Sequence, residues 1–185
     1  MQGFEKKANP KEEAGFILGS GSPRRKELLG DLLQDFAVLP SDAEEIASHP
    51  AGPLALVMEN ARIKGSAVAR KYPDRWVLGA DTLVWLDDRI LGKPRDLEEA
   101  RGMLRGLSGR THSVSTGLCL LCLSQSYEET RVETSEVTFK AFDESVIEAY
   151  FEEVDPLDKA GGYAIQTRPD LIIERFEGSH SNVIG

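Results

Sequence analysis

Apolar and polar positions along this chain switch between two periods, and the switches mark the elements. Phe16-Ile17-Leu18 is a short apolar run that predicts a strand. Ser22 and Pro23 then open a helix, Ser22 as its cap and Pro23 in its first turn. Leu28, Leu29, Leu32 and Leu33 form its apolar stripe. Phe36-Ala37-Val38-Leu39 predicts a second strand, and "SDAEEIASHPAGP", residues 41–53, a loop of turn formers and carboxylates. From Leu54 to about Arg70 the three- and four-residue steps of Leu56, Val57, Asn60, Ala61, Ile63, Lys64, Ala67 and Val68 predict a helix. "RWVLGADTLVWLDDRILGKP" reads as two strand pieces around Gly79-Ala80-Asp81, then a turn at Asp87-Asp88. Asp96 caps the next helix, with Glu99 as capping-box partner. That helix carries Ala100, Met103, Leu104 and Leu107 and stops at Gly109. Two strands follow, about 112–123 and 130–142, joined by a polar turn, so the sheet is expected to be mixed rather than purely parallel. Asp143 caps a helix with Val146, Ile147, Tyr150 and Phe151. A loop, "DKAGGYAIQ", and a last strand, Leu171 to Glu174, complete an α/β pattern without repeats.

Composition narrows the function classes. The 185 residues make one domain with one sizeable core the default, and 41% hydrophobic with 29% charged residues is ordinary for a soluble globular protein. A net charge of −9 argues against wrapping long nucleic acid, which needs a broad cationic face, but a small anionic ligand needs only a local basic pocket. No apolar run reaches the ~20 residues of a membrane span. Residues 1–14 are polar and charged without the apolar segment of a signal peptide. They read as a mobile extension of a cytoplasmic protein. Cys119 and Cys122 have CxxC spacing but fall in a strand. Residues three apart there face opposite sides, so two buried, reduced thiols are expected rather than a chelate or disulfide. His49, His112 and His180 are scattered without zinc spacing, and no nucleophilic triad can be assigned.

Two places carry chemistry. In "GSGSPRRKELL", residues 19–29, small residues lead into a helix start followed by Arg24 and Arg25. Unpaired helix N–H groups, a bare backbone and two guanidinium groups suit phosphate oxygens. The other reading is a capped helix with two solvated arginines. Asp81 interrupts the apolar run 77–86. A carboxylate there is desolvated unless a cation or metal pairs with it, unless it is only a turn residue at a strand end. Glu45, Lys64, Lys93 and Lys159 are each weak alone, since all fit a solvated reading. Taken together, a phosphate corner, carboxylates and lysines suggest metal-assisted attack by water.

"LGSGSPRRKELL", "GADTLVWLDDRILGKPRDLEEARGMLRGLSGRTHSVSTG", "DPLDKAGGYAIQ" and "EGSHSNVIG" resemble, in order, the motifs of the Maf family of nucleoside triphosphate pyrophosphatases, over nearly all of residues 16–185. The resemblance implies one catalytic domain from residue 15 to 185, with a two-lobed α/β fold. An elongated mixed sheet and a central cleft, related to those of inosine triphosphate pyrophosphatases, would frame the site. It implies hydrolysis of a non-adenine triphosphate to monophosphate and pyrophosphate with Mg2+ or Mn2+, in a fold that often forms homodimers. The family's phosphate corner falls on Ser20, Ser22, Arg24 and Arg25. Its acidic loop residue is Glu45, its helix lysine Lys64 and its proton acceptor Asp81, with Glu45 and Asp81 as metal ligands. Lys93, Lys159 and Gln166 complete the substrate contacts. Arg24, Thr82 and Gln166 match the branch acting on dTTP and UTP rather than the 7-methyl-GTP branch. Thr82 and Gln166, which can donate and accept, are the candidates to read a uracil or thymine edge. Relatives continue past Gly185 with Leu-Pro and a further helix, which is expected to be missing here. The alternative, a nucleotide-binding regulator of septum formation, would not need the full charged set.

Overall fold

The computed structural model describes residues 15–185; the expected N-terminal extension, residues 1–14, lies outside the described residues. Its frame is one mixed sheet of β1 (Phe16–Leu18), β2 (Ala37–Val38), β3 (Trp76–Leu86), β4 (Arg89–Leu91), β5 (Thr111–Cys122), β6 (Tyr127–Phe139) and β7 (Ile173–Glu177). The strand order is β2-β1-β3-β5-β6-β7, with β4 pairing the far end of β3. β1 runs parallel to β2 and β3, and the remaining pairs are antiparallel. The helices are α1 (Pro23–Gly30), α2 (Pro53–Ala69), α3 (Leu97–Leu107), α4 (Glu144–Phe151), α5 (Pro169–Ile172) and α6 (His180–Ile184).

Two apolar cores lie at opposite ends of the long strands. One joins α2 to the sheet through Ile17, Ala61, Val68, Val77, Cys119 and Leu121. The other packs α3 and α4 against Val84, Val114, Val137 and Phe139. Val77 and Val84 are seven apart on a strand of unbroken register, so the two cores also lie on opposite faces of the sheet. The middle of β3, where Asp81 and Thr82 sit, falls between them.

β3 is one continuous strand through Gly79-Ala80-Asp81, not two pieces. Gly79 is there because α2 crosses at close range: a Cβ on it would lie 2.2 Å from the Ala61 carbonyl and 2.6 Å from the Gly65 nitrogen. Gly117 on β5 meets the same helix, with a Cβ placed 2.6 Å from the Val57 carbonyl. Asp81 is therefore a mid-strand residue paired with Gly117, which removes its reading as a turn aspartate. The expected strand at Leu171 begins instead at Ile173, because Pro169 starts the short turn of α5 first. α6, which the apolar pattern does not mark, is capped by Ser179, whose hydroxyl accepts from the Asn182 N–H. The Asp96 cap forms, but Glu99 accepts from the Arg95 amide rather than returning to Asp96. Cys119 and Cys122 are both buried and unpaired, as strand geometry requires.

Candidate active site

A cleft of about 700 Å³ opens between the two cores, and all eleven residues singled out in the sequence line it. Its first wall is the corner between β1 and α1. The Gly19 amide continues the sheet by donating to the Leu78 carbonyl, and Ser22 caps α1 by accepting from the Arg25 amide. Ser20 is buried, and its Oγ accepts from the Ser22 amide and from Arg25 Nη1. Both bonds use it as acceptor, so its own O–H remains to be donated.

The two arginines divide their work. Arg25 gives four of its five N–H groups to protein oxygens: Gly185 O at 3.1 Å, Ser20 Oγ at 3.0 Å, Ala80 O at 2.8 Å and Thr82 Oγ1 at 3.0 Å. Burial holds its guanidinium below the ordinary arginine value, with Arg24 nearby adding to that and Asp81 and Glu45 opposing it. Arg25 is thus mainly a brace of the corner, and burial removes its reading as a solvated arginine. Arg24 commits only Nε, to the Ile184 carbonyl at 3.2 Å, and its Nη1 lies 3.9 Å from Asp158.

The cleft floor is built by α2 crossing β3. Lys64 Nζ lies 2.7 Å from Asp81 Oδ1 and 2.7 Å from Glu45 Oε1. The acidic loop that brings Glu45 in is pinned by buried Asn60, whose side chain accepts from the Ile46 amide and donates to the Ile46 carbonyl. Asp81 is only 5% exposed and its Oδ2 has no hydrogen-bond partner among the described residues. Leaving a carboxylate oxygen bare at that depth is costly without a further cation or proton donor. The Arg25 guanidinium also lies close enough to both carboxylates to feel their charge, so with Lys64 they face two cations. No cluster of three His, Cys, Asp or Glu able to hold a metal is found among the described residues.

The far wall comes from the loop after α4 and the turn after β4. Gly161 N donates to the Gly92 carbonyl at 3.0 Å, which ties the Lys159 loop to the Lys93 turn. Gly161 and Gly162 both have positive φ, 72° and 74°, a conformation that favours glycine. Tyr150 clasps the same loop by exchanging two bonds with Ala164, and buried His112 bonds the Tyr163 hydroxyl at 2.7 Å. Lys93 is exposed to the cleft, whereas Lys159 Nζ is held by Asp158 and by the Asp155 carbonyl. Gln166 is exposed at the rim, in the loop expected for "DKAGGYAIQ".

Thr82 departs from the expectation of a base-reading group. It faces away from Asp81, as successive strand residues must. Its hydroxyl accepts from Arg25 and pairs with Thr116 Oγ1 at 2.9 Å. Asp158, Thr116 and Asn182 are the site's partners that sequence reasoning missed. All three stood in quoted motifs without a role, and Thr116 gave no signal of its own because its partners lie far away in the chain.

The sequence model of a family described as Maf-like protein matches residues 15–185. Among curated proteins the chain is similar to the dTTP/UTP pyrophosphatase of Desulfotalea psychrophila, at 43% identity over 91% of this chain and 87% of that one. It is 45% identical to the enzyme of that name from Bacillus cytotoxicus, over 92% and 88% of the two chains. The Myxococcus xanthus protein of that name is 46% identical over 91% and 85%. Among solved structures, that of the Staphylococcus aureus Ham1 protein superimposes with a TM-score of 0.53 at 14% identity, over 83% of this chain and 88% of that one. At that identity the likeness speaks for the fold alone.

Proposed function

Because the chain belongs to the Maf-like family, we propose that it is a nucleoside triphosphate pyrophosphatase that hydrolyses dTTP and UTP to the monophosphate and pyrophosphate. The observation that carries the chemistry is Lys64 holding Asp81 and Glu45 together, 2.7 Å from each, on the floor of the cleft. A divalent cation, Mg2+ or Mn2+, would be held from Glu45 beside the Lys64–Asp81 pair, which keeps the bare Asp81 Oδ2 open as a base. When bound, such an ion supplies charge neutralisation for the leaving pyrophosphate.

The chain's own groups do the rest. Lys64 fixes the Asp81 carboxylate through Oδ1, and Oδ2, kept clear of the cation, takes the proton of the water attacking the α-phosphorus. Arg24, the free O–H of Ser20 and the helix start at Ser22 bind phosphate oxygens, and Arg25 keeps that corner in shape. Lys93 meets the charge of the β- and γ-phosphates, and Lys159 joins it by exchanging Asp158 for a phosphate oxygen. Gln166, at the rim, offers an amide donor and acceptor to a uracil or thymine edge. Buried thiols and a triphosphate substrate suit the cytoplasm. No helix among the described residues is long and apolar enough to cross a membrane.

The test is pyrophosphate release with dTTP, UTP, CTP, GTP, ATP and 7-methyl-GTP. dTTP and UTP should be cleaved best, CTP less well and ATP hardly at all. A preference for 7-methyl-GTP would overturn the substrate assignment. Binding of triphosphates without turnover would favour a nucleotide-binding regulator.

A further inference from the structure

The hydrogen bonds behind Thr82 have a fixed direction. The Asn182 carbonyl can only accept, so Thr116 spends its one hydroxyl proton there, at 3.0 Å. Across the 2.9 Å contact Thr116 must then accept, and the Thr82 proton goes to it. Arg25 Nη2 in turn donates to Thr82 Oγ1. The chain of donors runs from Arg25 through Thr82 and Thr116 to Asn182, on the sheet face opposite Asp81. Thr82 is left with no proton to offer a base. Through Nη1 the same Arg25 holds Ser20 Oγ and the Ala80 carbonyl, at 3.0 and 2.8 Å, and so ties the corner to the strand that carries Asp81. Thr116 and Thr82 are directly paired on β5 and β3, so the regular sheet register keeps the two hydroxyls together.

We propose that Thr116 is a positioning residue for triphosphate binding. Through Thr82 it fixes Arg25, and through Arg25 it sets the spacing between the phosphate corner and β3. The proposal rests on the reading of the cleft as a triphosphate site. It assigns both threonines to the phosphate end of the ligand, where the identity of the base does not matter.

The test compares Thr116→Val, Thr116→Ser and Thr82→Val with the wild type. Binding of inorganic tripolyphosphate, with magnesium present, is measured by calorimetry, and kcat and KM for dTTP, UTP and CTP by pyrophosphate release. Thr116→Val should weaken tripolyphosphate binding about tenfold, the scale of one hydrogen bond in a charged network. KM should rise by that same factor for all three nucleotides, with kcat changed less than about threefold. Thr116→Ser should restore both. Thr82→Val should match Thr116→Val, and the double variant should be no worse than either, because each breaks the same chain that fixes Arg25. Unchanged tripolyphosphate binding with an altered nucleotide preference would show that Thr82 reads the base and would overturn the proposal. So would wild-type behaviour of Thr116→Val, or a loss that serine does not restore. If Thr116→Val fails to fold, Thr116→Ser and Thr82→Val still decide by the same readouts. A wild type that binds tripolyphosphate but cleaves no nucleotide would sink the pyrophosphatase reading, while the calorimetric comparison would still decide the role of Thr116.

Discussion

Asp81 concentrates the argument in one side chain. It stands mid-strand at 5% exposure, with one oxygen on Lys64 and the other bare. A purely structural aspartate would have both oxygens satisfied, since a half-satisfied buried carboxylate is an unfavourable way to hold a sheet together. Asp81→Asn keeps the shape and removes the charge and nearly all the basicity. The expected result is a folded protein whose kcat falls by roughly 10²-fold or more, the range for losing a general base. Steady-state kinetics at saturating nucleotide and magnesium check this, with circular dichroism to confirm the fold. The sequence marked Asp81 correctly as an anomaly in an apolar run. It could not mark the division of labour between Arg24 and Arg25, because adjacent residues of the same type differ only in what the fold puts beside them.

The elements place these side chains by close packing. Glycines at 65, 79 and 117 let α2 lie against β3 and β5, which brings Lys64 onto Asp81. Gly79→Ala puts a methyl 2.2 Å from the Ala61 carbonyl, where only backbone movement can relieve the clash. It should cost at least about 1–3 kcal/mol of stability, the scale of overpacking, and lower turnover by shifting Lys64. Urea denaturation and kcat measured together test both effects. In the sequence, this glycine resembled a strand break, since a glycine that ends pairing and one that admits a helix look alike from local pattern. The long strands and α2 to α4 were legible because their apolar periods span many residues. The five-residue α6 was not, because its polar anchors, from Asn182 to Thr116, Ser135 and Val114 and from Ile184 to Arg24, leave no apolar period. The far wall depends likewise on a buried pair, His112 with Tyr163. Burial lowers the His112 pKa to about 4 from its ordinary 6.5. The unfolded chain therefore binds the proton more readily, so this stability is complete above pH 6.5 and is lost as pH falls toward 4. Between pH 7 and pH 5 the wild type should lose about 2 kcal/mol more than His112→Gln, read as the difference in unfolding free energy at the two pH values.

At the scale of the whole molecule, two cores on opposite faces and ends of one sheet leave a cleft at the middle of β3, and the charged groups converge there. The chain carries a net charge of −9, yet Arg24, Arg25, Lys64, Lys93 and Lys159 all line this single cleft. Five cations against the three carboxylates Glu45, Asp81 and Asp158 make the cleft locally basic on an acidic protein, which suits a compact, highly charged anion rather than a polymer. Which bond of that anion breaks is the central claim. With water attacking the α-phosphorus and Asp81 taking its proton, the new oxygen must end on the nucleoside monophosphate. The direct measurement is hydrolysis of dTTP in water enriched in oxygen-18, followed by mass spectrometry of the products. One heavy oxygen in dTMP and none in pyrophosphate is the predicted result. Label in the pyrophosphate, or dTDP with orthophosphate as the products, would contradict it.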